Sequence, residues 1–592
     1  GGAWYVLIQG SLSPAGDELD NGNSVVEKIY KAAEGITAQS PETHFVFSGV
    51  PFHTYESSSR AQKEISLIST ISLIVLALIL LYVFRSPLPV LVSLGAAAFS
   101  LFLASAAVLL AFREIHTLTF IFGTSLIGMC ADYSLHYFVH WKANLALKTG
   151  GEIRKHLMRS IGMSFVSSEV CFAAMLFAPF MILRQFAVFS LAGLASSFLT
   201  AVCLYPYIKP PKADNRRLGK APFLCLFAVR LARRIPRRAV FPVTAALLLV
   251  LLFVNRGALR IENNISGLYT MSASLRESET LAAQVLNSGA RSWYFIVSGD
   301  NPQDLLRHEE ELTSGMEAFM AASLFIPSAA AQEISYAAAK NLLPLAEEQA
   351  AYLGLPAESA ALFRRDFAAA AGRFITPGGD IPSYLASLIS PLWIGETGGR
   401  CYSCVLPLAV EDEEPLRKLA GKFDFVFFVN MAKDIGTELD RLTRAMLLLF
   451  LAAWVAVCVI IRLFYSWKDT VRICSVPVFL ALVTAAVLAC RGIALGFFPV
   501  AAFVLVFGLG LDYIFYMMES RKARGRPLTI SAVILSFATT ALSFGALGLS
   551  SFAPVHIFGL VVFAGLSAAF IFAMLASGSV SGENQRTSGP DG

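Results

Sequence analysis

The sequence predicts a polytopic α-helical membrane protein: two pseudo-repeated six-helix halves, the first helix missing, with α/β ferredoxin-like extracytoplasmic domains. Three observations predict it. Of 592 residues, 56% are hydrophobic and 15% charged, where a soluble domain carries roughly 25% charged residues. The apolar residues gather in blocks of about 20, the length of helix that crosses a bilayer. The blocks also repeat, since "GMCADYSLHYF" from Gly128 corresponds to "GLGLDYIFYMM" from Gly508.

Eleven apolar blocks read as spans: 65–84, 88–112, 118–141, 161–181, 184–207, 238–254, 441–463, 472–491, 495–519, 527–549 and 556–576. Their connections alternate in charge. Segment 142–160 holds five Lys/Arg, 208–239 holds ten and 519–526 holds four, whereas the alternate connections hold Arg113, Arg184 and Arg491. The positive-inside rule places the basic set in the cytoplasm, so 1–64 and 255–440 face outside. Within the basic linker 208–237, "PFLCLFAVRLARRI" (222–235) reads equally as an amphipathic helix on the inner surface or as a solvated loop.

The repeat fixes the domain organisation. Ser167-Ser168 corresponds to Thr539-Thr540, "FAVFSLAGL" ending at Leu194 to "FGLVVFAGL" ending at Leu566, and "GGAWYVLIQG" at Gly1 to "GGRCYSCVLP" at Gly398. In the second half a span (238–254) and a long outside segment precede Gly398. The alignment therefore predicts that the chain lacks the first span and part of the first outside domain of a twelve-span parent. The expected order is an outside remnant (1–64), five spans (65–207), the basic linker, one span, an outside domain (255–440), five spans (441–576) and a polar tail (577–592) read as disordered.

Within 255–440, "RSWYFIVSG" (291–299), "RCYSCVLPL" (400–408) and "DFVFFVN" (424–430) read as strands. "NPQDLLRHEEELTSGMEAFMAA" (301–322) reads as an Asn-capped amphipathic helix, and the Ala-rich 328–372 as further helix. Together they suggest a split βαβ module with a helical insertion. Cys401 and Cys404 sit three apart on one of these strands and so point to opposite faces. No Cys/His spacing fits zinc, and no Gly-rich loop followed by Lys and Ser/Thr offers a nucleotide site. No metal, cofactor, enzymatic activity or nucleic-acid partner is expected.

The chemistry centres on Asp132 and Asp512. A carboxylate in hydrocarbon costs about 3 kcal/mol on insertion scales, so each acid needs a protein environment. Each has Gly four residues earlier (Gly128, Gly508), on the same helical face, where a missing side chain admits a neighbouring helix. Each is followed by Tyr (Tyr133, Tyr513). Two such acids at one seam would form a protonatable pair. The alternative is a pair of satisfied polar groups that fix packing, and recurrence in both halves favours the proton reading. Ser167, Ser168, Thr539 and Thr540 are candidates to bond the aspartates or merely to pack. His136 lies one turn after Asp132, where the second half has Tyr516, and reads as a relay or a packed histidine. Glu169 is the remaining deep acid; Ala541 is its counterpart.

On these residues the chain resembles the resistance–nodulation–division (RND) superfamily. The Gly-x-x-x-Asp-Tyr motif in each half looks like its MmpL branch of bacterial lipid exporters, within it the group called predicted exporters. The resemblance implies proton-driven export of lipid-like molecules from the bacterial inner membrane, with Asp132-Tyr133 and Asp512-Tyr513 as proton-relay pairs and a homo-oligomer as one allowed assembly. It equally accommodates a SecDF-like accessory of protein secretion, or a lipid sensor or scaffold that does not pump.

Overall fold

The computed structural model describes residues 25–116, 127–143, 149–208, 237–255, 271–286, 293–377, 383–408, 412–519 and 526–577, with short pieces between them. The match at Gly1, the linker interior with its 222–235 segment and the tail beyond Ser577 lie outside the described residues. The first half contributes α1 (Val25–Gln39), α2 (Val50–Phe84), α3 (Pro87–Phe112), α4 (Ile127–Ala143), α5 (Gly150–Met175) and α6 (Met181–Leu199). Then come α7 (Arg237–Val254) and α8 (Ala273–Leu286). The sheet region comprises β1 (Trp293–Gly299), α9 (Pro302–Thr313), β2 (Phe319–Met320), α10 (Ala322–Phe325), α11 (Ala329–Tyr352), α12 (Ala357–Ala369), α13 (Ser383–Ile389), β3 (Trp393–Thr397), β4 (Arg400–Pro407), α14 (Glu413–Ala420) and β5 (Val426–Asn430). Five long helices close the chain: α15 (Met431–Phe464), α16 (Trp467–Cys490), α17 (Phe497–Glu519), α18 (Arg526–Gly545) and α19 (Ala553–Ser577).

Local sequence explains the helix ends. Pro87 opens α3, where its missing N–H costs nothing, and Arg113 closes it in the left-handed region at φ 65°. Thr149 caps α5 by accepting from the Glu152 amide, and Ser466 caps α16 by accepting from that of Asp469. The cap of α17 comes from far away in sequence. The Phe497 amide donates to Asn263 Oδ1 at 2.7 Å, while Asn263 Nδ2 donates to Asp440 at 2.7 Å and Thr443 at 3.2 Å.

Residues 1–28, 53–271 and 436–592 form one compact unit; 29–52 and 272–435 form a second. Among the described residues, eight helices are long and apolar enough to cross a membrane. The expected spans 118–141, 161–181 and 238–254 fall on α4, α5 and α7. The described part of α4 is 17 residues, α5 carries charges at Glu152, Arg154, Lys155, Arg159 and Glu169, and only Thr244–Val254 of α7 is a described apolar helix.

In the first unit the helices divide by burial. Every residue of α4 from Gly128 to Trp141 is buried, as is every residue of α17 from 499 to 518. A helix buried all round belongs at the centre of a bundle. By contrast, α2, α3 and α15 expose Leu67, Leu78, Tyr82, Leu91, Phe102, Leu110, Leu448, Val455 and Leu463, the apolar outer faces that lipid would cover.

The second unit holds an antiparallel sheet in the order β2-β4-β1-β5, with β3 also pairing β4. Read as β1-α9-(β2, β3)-β4-α14-β5, this is the expected split βαβ, with α10 to α13 as its helical insertion. Asn301 caps α9 by accepting from the Gln303 and Asp304 amides. That helix ends at Thr313 rather than 322, because Phe319-Met320 instead pair with Leu406-Pro407 of β4. Strand β3 was not expected. Its signal was "TGGR": Gly398 and Gly399 both take positive φ, 63° and 77°, and join Thr397 to its partner Arg400 as a two-residue hairpin turn. Cys401 is buried beside β1 while Cys404 lies on the opposite face, and both are free thiols.

Candidate functional site: a carboxylate seam between the halves

Asp132 lies on α4 and Asp512 on α17, each 8% exposed. Their helices are the two fully buried ones, so neither acid meets lipid. The glycine one turn earlier shows how. A Cβ on Gly128 would come within 3.3 Å of Ser543 Cβ and 3.4 Å of Thr540 Cα, both on α18. One on Gly508 would lie 3.6 Å from Cys171 Cβ and 3.9 Å from Ser168 Cα, both on α5. These neighbours are repeat equivalents, since Ser168 corresponds to Thr540 and Cys171 to Ser543. Each acid-bearing helix therefore packs against a helix of the other half.

The hydrogen bonds follow the same cross. Thr540 Oγ1 donates to Asp132 Oδ2 at 3.3 Å, and Ser168 Oγ donates to Asp512 Oδ1 at 3.4 Å. Ser168 also donates to the Gly508 carbonyl at 3.1 Å. Ser167 and Thr539 do not reach the acids: each donates to a carbonyl of its own helix, Ser164 and Ser536 respectively, at 2.9 Å. The second hydroxyl at each acid is instead Ser164 near Asp512 and Ser536 near Asp132. Sequence reasoning missed both. Their signal was spacing: 164 and 168, like 536 and 540, lie four apart on one helical face.

The tyrosines are crossed too. Tyr133 interacts electrostatically with Asp512 and Tyr513 with Asp132, so each partners the acid of the other half as well as following its own in sequence. Matching aromatic frames hold them. Phe165 stacks on Phe198 at 4.2 Å, and Tyr133 meets Phe198 edge-on at 6.0 Å. In the second half Phe537 stacks on Phe570 at 4.3 Å, and Tyr513 meets Phe570 edge-on at 6.4 Å. All are equivalents under the repeat, and none was singled out from sequence.

His136 is fully buried and stacks on Tyr516, with ring centroids 3.5 Å apart and planes 12° from parallel. These two positions are also repeat equivalents, so the stack lies where the halves meet. Glu169 is half-buried on α5 and neighbours Tyr133. Among the described residues, no three His, Cys, Asp or Glu side chains gather as metal ligands.

Asp132 and Asp512 are close enough to interact electrostatically. Each is held by donors from the opposite half, so a change in its protonation alters a contact between halves. Residues 1–209 match the model of the MMPL family.

The similarity to that family covers 209 of the 592 residues. The match includes Gly128, Asp132, Tyr133 and Ser168, and the second half repeats these features in space. Among curated proteins no sequence matches. Among solved structures, the chain is similar to SecDF of Thermus thermophilus, a translocon-associated membrane protein, at 13% identity and a TM-score of 0.52; the alignment covers 88% of this chain and 62% of that one. It is similar also to a heavy metal efflux pump, at 13% identity and a TM-score of 0.52, covering 88% of this chain and 67% of that one. At these identities the likeness is one of fold alone.

Proposed function

We propose that the chain is a proton-driven exporter of lipid-like molecules from the bacterial inner membrane, with Asp132 and Asp512 as the proton-carrying pair. The observation that carries this reading is the crossed seam, in which Thr540 serves Asp132 and Ser168 serves Asp512. Hydrogen bonds to a charged acceptor contribute about 1.5–3 kcal/mol each, so protonation weakens a contact between halves by an amount that matters. The membrane potential supplies about 2.3 kcal/mol per charge per 100 mV, a comparable sum, enough to bias a two-state packing. The basic connections would lie in the cytoplasm and the sheet-bearing unit outside. Tyr133 and Tyr513 would orient the acids, and the apolar outer helices suit a substrate drawn from the bilayer.

The test is efflux of lipid-like substrates in cells or liposomes by variants Asp132→Asn and Asp512→Asn. Each variant is expected to lose transport while keeping its fold, because Asn preserves the acceptor oxygen. Retained proton-dependent export in both would refute the proposal. A second reading has equal support from fold, because the likeness to SecDF matches the likeness to the efflux pump. A secretion accessory would leave membrane lipids unchanged and stall secreted proteins when its gene is deleted. A non-pumping sensor would pass no protons in liposomes.

A further inference from the structure

We propose that His136, His140 and His156 form a proton conduit joining Asp132 to the cytoplasmic end of the bundle, and that only the first half has it. The proposal rests on the proton-driven reading above and adds a route to it.

Asp132, His136 and His140 lie at i, i+4 and i+8 of α4, on one face. His136 is fully buried and His140 5% exposed. Neither nitrogen of His136, nor Nε2 of His140, makes a hydrogen bond to any described residue. A buried polar group without a partner costs free energy, and packing alone does not require it, since Tyr516 fills the equivalent position. The His140 ring lies 5.6 Å from that of His156 on α5. His156 is exposed within the basic segment 142–160, so the three imidazoles run from the acid to the charged end of the bundle.

Neighbouring ionisable groups leave the route open. From α17, Tyr516 faces His136, and Tyr516 in turn interacts with Asp512 and Asp132. On α4, Lys142 turns away to the carbonyls of Val83 and Phe84. On α5, Arg154 lies near Tyr137, Arg159 donates to the Phe464 carbonyl at 3.4 Å, Glu152 sits in the first turn, and Glu169 neighbours Tyr133. In the second half the equivalents of His136, His140 and His156 are Tyr516, Ser520 and Leu528. A phenol and a hydroxyl can hydrogen-bond, but only imidazole takes on and gives up charge near neutral pH.

The step balances as proton transfer alone. Protonated Asp132 gives its proton to a nitrogen of His136 and becomes a carboxylate. His136 passes a proton from its other nitrogen to His140, which passes one to His156 and so to the cytoplasm. Each imidazole ends neutral, and only O–H and N–H bonds change.

The test uses the full chain in liposomes carrying a pH-sensitive dye, with proton flux measured against the pH on the His156 side. His140→Gln and the surface variant His156→Gln are expected to lower flux roughly tenfold or more, the scale of a lost acid–base group. They should also change how flux depends on that pH. Added imidazole should restore flux to His156→Ala. His136→Tyr, which copies the second half onto the first and keeps the stack, is expected to lose flux as well. Wild-type flux and pH profile in His140→Gln and His156→Gln, with Asp132→Asn still inactive, would overturn the conduit and spare the proton-driven reading. Unchanged flux in Asp132→Asn, or no flux in the wild type, would overturn both.

Discussion

Ser168 and Thr540 each place a hydroxyl on an acid that belongs to the other half, while their neighbours Ser167 and Thr539 turn back onto their own helices. The sequence shows two adjacent hydroxyls in each half and cannot say which of them faces the seam. Helical geometry separates them by 100°, and the bundle decides. The difference predicts unequal mutants. Ser168→Ala and Thr540→Ala should each impair transport several-fold and shift its pH optimum. Ser167→Ala and Thr539→Ala should have the smaller effect on both, because neither hydroxyl reaches an acid. Efflux measured across pH would check this, and equal effects in the two sets would contradict it. The aspartates, glycines and tyrosines were legible because they recur. Ser164, Ser536 and the stacked phenylalanines were not, because small and aromatic residues fill every span and only contact singles them out.

Two elements carry predictions of their own. The seam of α4 on α18 is tighter than that of α17 on α5: a Cβ at 128 would meet atoms at 3.3 and 3.4 Å, one at 508 only at 3.6 and 3.9 Å. Gly508→Ala should therefore be tolerated, whereas Gly128→Ala should cost about 1–3 kcal/mol, as overpacking does. Thermal unfolding of the two variants in detergent would compare them, and a larger loss for Gly508→Ala would contradict the geometry. In the sheet-bearing unit, Glu309 on α9 is fully buried and accepts from the Ser323 amide at 2.7 Å. Burial pushes its carboxyl above the usual range. The folded form then holds this proton more tightly than the unfolded chain does. Its contribution falls as pH rises from the unfolded carboxyl value, about 4.3, through the folded one, and stays unfavourable above. Glu309→Gln, which keeps an acceptor for Ser323, should raise stability at pH 7.5 and match wild type below pH 4. Hydrogen exchange at Val297 and Val405 in the full chain would show it; the same difference at both pH values would argue against the burial account. Elements themselves were readable where a local signal existed, as with the Asn301 cap. They were misread where pairing across the sheet overrode helical periodicity, as at Phe319-Met320.

At the scale of the whole molecule, the repeat dictates the arrangement of the bundle. Helices α4 and α17 are buried all round and pack against α18 and α5, so the halves share one interior rather than two. Sequence hydropathy foresaw the membrane class but not this centre, because a central helix and a lipid-facing one are equally apolar. Two departures from symmetry, His136 against Tyr516 and Glu169 against Ala541, lie near this shared interior: His136 stacks on Tyr516 and Glu169 neighbours Tyr133.

The crossed bonds of Asp132 with Thr540 and of Asp512 with Ser168 describe a self-complementary interface, the kind formed when identical subunits meet about a two-fold axis. A single half paired with its own copy would build the same seam twice over. In the present chain the two halves are joined end to end and make that seam once. Because the halves share one chain, each position exists in two copies that can differ, and a histidine at 136 stands opposite a tyrosine at 516. Two identical halves could not tell their two acids apart; two unlike halves can.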